Sequence, residues 1–382
     1  MKKGKRFAAL LLSLCMAAGV TAGLPVRQNV QAETIRDGDY QYTQLDNGTV
    51  EITRYSGADA AVTIPGELGG KPVSSIGEHA FSYRPNLTEL TIPDSVAAIG
   101  QQAFLNCTGL SQITLPANVT NIKTNAFAGC TALADIQADS ANAVYASDQG
   151  VLYNKAGTEL LICPEGKTGV CEVLSGVSSI GGSAFWNCTG LTGVTLPAGV
   201  SSIGASAFYG CKSLRSIAVP AGADSIGSYA FYGCESLTEI TVPNHISNIE
   251  HGTFQGCTSL RTITLPAGIQ AIGKEAFAGC DRLTNVYYAG NQTQWNSIRI
   301  SEEGGGNDAL LHATLYFRDG STLHGPEEDY EWRVISSGAI SITAYHGPGG
   351  DVRVPEELLG KRVVEMEASA FRDNARLETV TI

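Results

Sequence analysis

The sequence is dominated by a unit of 23 residues that recurs, with one interruption, along most of the chain. Between Ala184 and Cys280 the unit reads Ala-Phe-x-x-Cys-x-x-Leu-x-x-Ile-x-Leu-Pro-x-x-Val-x-x-Ile-Gly-x-x. A fixed period of this length predicts a solenoid, because a single unit cannot bury its apolar side and has to stack on the next one. The phenylalanines that mark the units are Phe81, Phe104, Phe127, Phe185, Phe208, Phe231, Phe254 and Phe277.

Each unit contains three segments with different apolar spacing. Leu-x-x-Ile-x-Leu, as in residues 110–115, has the alternation of a strand, and the proline that follows it ends the strand. Val-x-x-Ile, as in residues 119–122, predicts a second short strand. Ala-Phe-x-x-Cys-x-x-Leu, as in residues 103–110, places its apolar residues on one face of a helical wheel. We therefore expect coils made of a strand, a short strand and a helical turn.

The N-terminus predicts secretion. Four basic residues precede an apolar run that extends from Phe7 to about Val20, and Val30-Gln31-Ala32 has the small residues that signal peptidase reads. We interpret residues 1–32 as a signal peptide that is cleaved after Ala32. The alternative is a membrane anchor, which Ser13, Gly19 and the absence of following stop-transfer charges disfavour.

The regions that flank the repeats predict caps. Residues 33–75 contain two alternating segments around Asp46-Asn47-Gly48, which predicts a β-hairpin that covers the first coil. The solenoid is expected at 76–290, interrupted at 137–175 by a small inserted β-meander between glycine-containing turns. After Val286 the unit pattern ends, and residues 291–317 predict a C-terminal cap.

The C-terminal residues repeat the N-terminal ones. Tyr330 and Trp332 lie 290 residues after Tyr40 and Tyr42, and further like residues keep this offset as far as Leu377. We therefore expect a polar linker at 318–326 and the truncated start of a second module at 327–382, which suggests that the chain is a fragment of a longer tandem array.

These features resemble the BspA-like leucine-rich repeat family of secreted and surface proteins. The resemblance is carried by the Ala-Phe-x-x-Cys units, the insert Asp148–Gly157 followed by Pro164–Lys167, and the closing segments Val286–Trp295 and Asn307–Thr314. It implies a leucine-rich repeat type solenoid that acts in adhesion or display on bacterial surfaces and binds extracellular proteins. No asparagine ladder follows the strand, so the usual horseshoe curvature is not expected.

The cysteines form two groups. Seven occupy one position of the unit and are here called the ladder cysteines: Cys107, Cys130, Cys188, Cys211, Cys234, Cys257 and Cys280. A disulfide or metal ladder is one reading. However, disulfides need Cα atoms about 4.4–6.8 Å apart, whereas helical turns pack about 8–10 Å apart, so we expect buried thiols that act as small apolar residues. Cys163 and Cys171 lie outside the ladder on strands joined by a short turn, and in a secreted chain we expect them to form a disulfide.

Catalytic and cofactor motifs are not found in the sequence. Gly166-Lys167-Thr168 imitates the end of a phosphate-binding loop, but Leu161 stands where the leading glycine belongs. The six histidines lack zinc-site spacing, so no metal or cofactor is expected. Loss of residues 1–32 leaves 20 basic residues against 37 acidic ones. Such a surface repels nucleic acid and anionic lipid, and we expect no membrane insertion after signal removal.

One pattern suggests a binding surface. The residue after the core phenylalanine is Trp186, Tyr209 or Tyr232 in three consecutive coils, and the helical wheel places all three outward. This aromatic stripe, defined by these three residues, is a candidate site for a protein or a sugar. The alternative is that the rings only cover the turns. A strand face rich in threonine (Thr91, Thr114, Thr195, Thr241 and Thr264) is a second candidate surface.

Several function classes remain open. The leading hypothesis is a noncatalytic secreted or cell-surface repeat protein that mediates adhesion to an extracellular protein or cell-surface ligand, with attachment through a region beyond residue 382 left open. A second is an accessory or spacer region of a larger extracellular enzyme or wall-anchored protein. A third is a glycan-binding module, which rests only on the aromatic stripe.

Overall fold

The computed structural model describes residues 33–301, 306–323, 330–335, 338–346, 350–354, 357–358, 361–372 and 377–381. The predicted signal peptide, residues 1–32, lies outside the described residues, as do positions 324–329 at the predicted linker and second-module start. The repeats form a solenoid with little helix, which confirms the predicted fold class. A regular coil contributes a first strand of two to five residues, a second strand of two residues and a series of turns.

The first face of the solenoid is made from the Leu-x-x-Ile-x-Leu segments. The central residue of each strand, usually isoleucine or valine, points into the core, and neighbouring strands pair in parallel at the repeat spacing, as in Ile240↔Ile263↔Val286. The proline that follows lacks the N–H needed to extend the ladder. The strands are Glu89–Thr91, Gln112–Leu115, Asp135–Ala138, Gly169–Glu172, Leu191–Thr195, Ser216–Ile217, Glu239–Thr241, Thr262–Leu265, Asn285–Tyr288 and Thr314–Phe317.

The second face is made from two-residue strands, each of which ends in an isoleucine that is buried, except for the half-buried Ile122 and Ile300. Ile180, Ile203 and Ile226 are parallel partners in successive coils. The strands are Ala98–Ile99, Asn121–Ile122, Ser179–Ile180, Ser202–Ile203, Ser225–Ile226, Asn248–Ile249, Ala271–Ile272 and Arg299–Ile300.

The third face differs from the sequence prediction, because Ala-Phe-x-x-Cys forms turns and not a helix. Positive φ angles occur two residues before the phenylalanine and two after it, as at Gln102 (52°) and Asn106 (58°) around Phe104. Two left-handed residues this close together prevent a continuous right-handed helix. The Phe104 N–H is also used between coils, since it donates to the Ala126 carbonyl at 2.8 Å.

The phenylalanines stack along the axis with ring centroids 4.8–5.7 Å apart. One stack contains Phe81, Phe104 and Phe127, and a second runs from Phe185 to Phe277. The turns of neighbouring coils are therefore much closer together than packed helices would be. The helix spacing assumed in the sequence analysis is wrong, so it gives no argument against disulfides between ladder cysteines.

The insert separates these two stacks. Tyr145–Asp148, Val151–Asn154 and Glu159–Ile162 form an antiparallel meander, and the last of them continues in parallel onto Ser179–Ile180. The next strand, Gly169–Glu172, joins the first face by pairing with Leu191–Thr195. The buried residues around the insert fall into two clusters that meet at the meander, where Leu152 belongs to one cluster and Tyr153 to the other. A third cluster lies in the C-terminal strands.

Further strands and two short helices lie at the ends of the repeats. The N-terminal strands are Ile35–Asp37, Tyr40–Gln44, Val50–Tyr55, Ala61–Thr63, Glu67–Leu68 and Lys71–Ile76. Tyr55 extends the phenylalanine stack, with its ring 5.0 Å from Phe81. The helices are Gln292–Trp295, which begins with a capping box at Asn291, and Asp308–His312.

The C-terminal strands repeat the pairing of the N-terminal ones. Tyr330 pairs with Tyr345 as Tyr40 pairs with Tyr55, and both ring pairs have an interplanar angle of 48°. The strands are Thr322–Leu323, Tyr330–Val334, Ile340–Tyr345, Gly350–Arg353, Glu357–Leu358, Lys361–Met366 and Leu377–Thr381.

Candidate functional site

The aromatic stripe is a continuous stack of rings on the turn face. The ring centroids of Trp186 and Tyr209 are 4.0 Å apart and nearly parallel, and those of Tyr209 and Tyr232 are 4.4 Å apart. Tyr229 meets Tyr232 edge-on and also contacts His251. The repeat spacing creates this arrangement, because each coil places the residue after its phenylalanine directly above the previous one.

The three rings lie on the turn face and are half-buried. Their mutual stacking accounts for this, since each ring covers a face of its neighbour. A partner can therefore reach the ring edges and the polar ends of the two tyrosines. Burial raises the pKa of Tyr209, with the neighbouring Tyr232 adding to the effect.

The threonine-rich strand face is the second exposed surface. Thr91, Thr114, Thr195 and Thr241 are exposed, and Thr264 is half-buried. In the last coils the same row continues as Tyr287 and Tyr316, whose rings stack at 4.8 Å. This face offers hydroxyl groups on a parallel sheet.

The ladder cysteines are free thiols in the core. Six of them place Sγ 3.1–3.3 Å from the carbonyl oxygen of the phenylalanine in the preceding coil, whereas Cys188 bonds to the Cys163 carbonyl. All seven are buried. Burial raises the pKa of the Cys280 thiol to about 12. A buried neutral thiol is a poor nucleophile, so the ladder has a structural role.

Cys163 and Cys171 are also free and buried in the structure. Cys163 directly follows the strand Glu159–Ile162, whereas Cys171 lies in the strand Gly169–Glu172 on the first face. The two thiols are neighbours, and the Cys163 side chain raises the pKa of Cys171. Cys188 is a third thiol in contact with Cys163. The disulfide between Cys163 and Cys171 stays a prediction, and the structure brings a competing thiol close to it.

A cleft of about 270 Å³ opens on the turn face where the insert interrupts the phenylalanine stacks. One wall is the turn 123–128, which contains Phe127, and the other is formed by 161–165 together with Gly182 and Ser183. Tyr145 and Leu152 of the meander close the inner end, and Trp186 of the aromatic stripe lines the cleft. The interruption thus places a mostly apolar recess beside the candidate binding surface.

Glu165 is the acidic residue that lines this cleft. Its Oε1 accepts a hydrogen bond from the Gly129 N–H at 2.9 Å. In a regular coil the corresponding N–H bonds to a backbone carbonyl of the next coil, as Asn106 does to Ala128. Burial raises the pKa of Glu165 to about 7, and the Gly129 N–H opposes this shift only in part. The carboxyl group is therefore partly protonated near neutral pH.

Comparison with known protein families identifies the repeats. The family model described as the BspA type leucine-rich repeat region matches in six copies, over residues 70–165 and 178–299. The chain belongs to the BspA-type leucine-rich repeat family. The BspA-type match stops at Glu165 and resumes at Ser178. The unmatched segment therefore begins directly after Glu165, the acidic residue of the cleft.

Solved structures of bacterial repeat proteins share the BspA-type fold. A leucine-rich cell surface protein from Faecalibacterium prausnitzii is 26% identical with a TM-score of 0.52, and the match covers 70% of this chain and 97% of that one. A leucine-rich repeat protein from Eubacterium ventriosum is 23% identical with a TM-score of 0.51, over 65% and 82% of the two chains. No curated protein sequence matches the chain.

Within the described residues, no group of three or more His, Cys, Asp or Glu side chains is arranged to hold a metal ion. The helices that the structure describes are too short or too polar to cross a bilayer.

Sequence reasoning identified the aromatic stripe but missed the cleft. Glu165 was noted only within the Pro164–Lys167 segment of the resemblance. Its burial depends on how the meander returns to the solenoid, which the residue pattern does not specify. The available signal was the irregular spacing of 58 residues between Phe127 and Phe185, which marks where the stack must be interrupted.

Proposed function

We propose that this BspA-type protein is a secreted or cell-surface, noncatalytic repeat protein that binds an extracellular protein through its turn face. The observation that carries the proposal is the aromatic stripe, three stacked rings on the surface beside an apolar cleft. Aromatic residues are enriched among the anchors of protein interfaces because they bury a large area at low entropic cost.

The similarity to a leucine-rich cell surface protein supports an extracellular location for the proposed function. The ladder cysteines are buried, which suits a structural role for them and not a nucleophilic one. A solenoid suits a binding role because its length presents a long surface to a large partner.

The test is adhesion of the secreted protein to a panel of purified extracellular proteins, with a glycan array in parallel. A triple variant, Trp186→Ala, Tyr209→Ala and Tyr232→Ala, is expected to lose most binding to the protein partner, because each anchor contributes about 2 kcal/mol or more. The matched control removes Thr241, Thr264 and Tyr287 of the strand face and should bind as the parent does.

Two results would contradict the proposal. One is that the folded triple variant of the aromatic stripe adheres as the parent does while the strand-face control loses adhesion. The other is binding confined to the glycan array, which would favour a glycan-binding module. Circular dichroism of each variant establishes that loss of binding does not arise from loss of fold.

A further inference from the structure

The cleft contains a carboxylate without a positive partner. In the described part of the chain Glu165 forms no salt bridge, and its hydrogen-bond donor is the neutral Gly129 N–H. A charged group that is partly removed from water is stabilised chiefly by an opposite charge. The site is therefore incomplete in electrostatic terms, and a cation is the missing component.

The other groups around Glu165 do not supply that cation. Lys123 lies on the opposite wall but is exposed to solvent, and the Lys167 ammonium group bonds to the Gln149 carbonyl. Neither lysine offsets the effect of burial on Glu165. The remaining titratable neighbours are Tyr145 and the thiols of Cys130, Cys163 and Cys188, all of which are neutral near pH 7.

The shape and lining of the cleft favour a long side chain with a charged end. Its volume of about 270 Å³ is below that of ordinary small-molecule pockets, and it suits a single side chain. Leu161, Ile162 and Phe127 offer apolar surface of the kind against which lysine and arginine bury their methylene stems. The aromatic rings of Tyr145 and Trp186 can add cation–π attraction.

The charge of the whole molecule points the same way. The chain has 37 acidic and 25 basic residues, so its field attracts basic partners. We propose that the cleft at the interruption of the solenoid binds a lysine or arginine side chain of a basic extracellular protein, with Glu165 as the counter-ion. This inference rests on the proposed binding function and names the chemistry of the partner.

The test uses isothermal titration calorimetry of the secreted protein with N-acetyl-lysine amide and N-acetyl-arginine amide. N-acetyl-norleucine amide, which has a similar stem and no charge, is the control ligand. Binding of the cationic probes should weaken about tenfold from about pH 8 to about pH 6, because Glu165 takes up a proton over this range. The wild-type pH series needs no variant and remains informative whether or not the variants fold.

Glu165→Gln should weaken the cationic probes about tenfold at pH 8 and remove their pH dependence, since a charged hydrogen bond is replaced by a neutral one. Glu172→Gln, which removes the same charge from an exposed position on the neighbouring strand, should bind as the wild type. Equal binding of lysine and norleucine probes would overturn the inference. Binding of the cationic probes that Glu165→Gln leaves unchanged would also overturn the inference. Binding of a neutral sugar that depends on Glu165 would overturn it as well.

The outcome is separable from that of the proposed function. Probe binding that depends on Glu165, without any adhesion partner in the panel, would support the cleft and contradict the adhesive role. Adhesion that depends on the aromatic stripe but is unaffected by Glu165→Gln would support the adhesive role and contradict the cleft.

Discussion

The Sγ of Cys211 lies 3.1 Å from the carbonyl oxygen of Phe185 in the preceding coil. The same relationship joins Cys234 to Phe208 and Cys257 to Phe231. The buried phenylalanine carbonyl also accepts a backbone hydrogen bond within its own turn, as Phe185 does from the Cys188 N–H at 3.2 Å. The thiol therefore supplies a second hydrogen bond, which links neighbouring coils while adding little polarity to the core. This gives a physical reason for cysteine at this position of the unit.

Cys211→Ala is therefore expected to lower the free energy of unfolding by about 1–2 kcal/mol, through loss of the hydrogen bond and of buried volume. Reversible urea denaturation monitored by circular dichroism measures the change. Thr189→Ala, an exposed substitution in the turn that follows Cys188, is the control and should have little effect. A Cys211 variant as stable as the wild type would show that the Phe185 carbonyl does not need the thiol.

Phe208→Ala should cost about 3–5 kcal/mol, because it empties a core position between two stacked rings. The Phe208 ring centroid lies 4.8 Å from that of Phe185 and 5.2 Å from that of Phe231. Phe127→Ala, at the end of the first stack and beside the cleft, should cost less. A loss below about 1 kcal/mol for Phe208 in the same denaturation experiment would mean that the stack contributes little to stability.

Much of the fold could be predicted because one periodic pattern specifies it. The strand isoleucines, the stacked phenylalanines and the buried cysteines follow directly from the 23-residue unit. The conformation of Ala-Phe-x-x-Cys could not be predicted in this way. Its apolar spacing also suits a helix, and the decisive information is the left-handed backbone at Asn106 or at Gly210, which occupies the same position of its unit.

The raised pKa of Glu165 predicts a dependence of stability on pH. Its value is about 7 in the folded protein against an ordinary value of 4.5, so the folded state binds the proton more tightly. The folded state is therefore destabilised progressively as pH rises from about 5 to about 7, and the cost is constant above that range. The difference in stability between Glu165→Gln and the wild type should grow over this interval.

Urea midpoints of both proteins at about pH 5, 6, 7 and 8 give the comparison, and taking the difference removes the titration of all other groups. A stability difference between the two proteins that does not change with pH would show that the Glu165 carboxyl group is as solvated in the folded state as in the unfolded state. Glu172→Gln again serves as the exposed control.

Oxidation of the purified protein is expected to link Cys163 to Cys171 and to leave the ladder cysteines reduced. The two side chains are in contact, whereas each ladder thiol bonds to a carbonyl oxygen. Non-reducing peptide mapping with alkylation before and after unfolding identifies the pair. Recovery of Cys163 linked to Cys188 would contradict the pairing and show that the third thiol of the cluster competes.

The candidate site could be predicted only in part, for reasons that lie in its construction. The aromatic stripe is visible in the sequence because Trp186, Tyr209 and Tyr232 share one position of the unit. The cleft arises where periodicity stops, and its carboxylate and its apolar walls come from segments that are distant in sequence. Local patterns carry no information on which side chain a returning meander will bury.

The most direct test of the central claim, that the turn face carries recognition, is hydrogen–deuterium exchange of the purified protein with and without the partner found by the adhesion panel. Binding should slow exchange of the amides in turns 123–129, 182–188 and 205–211, which contain or adjoin the cleft and the aromatic stripe. Exchange of the strand Thr262–Leu265 should be unchanged. Protection confined to the strands of the threonine-rich face, with the turns unaffected, would contradict the account.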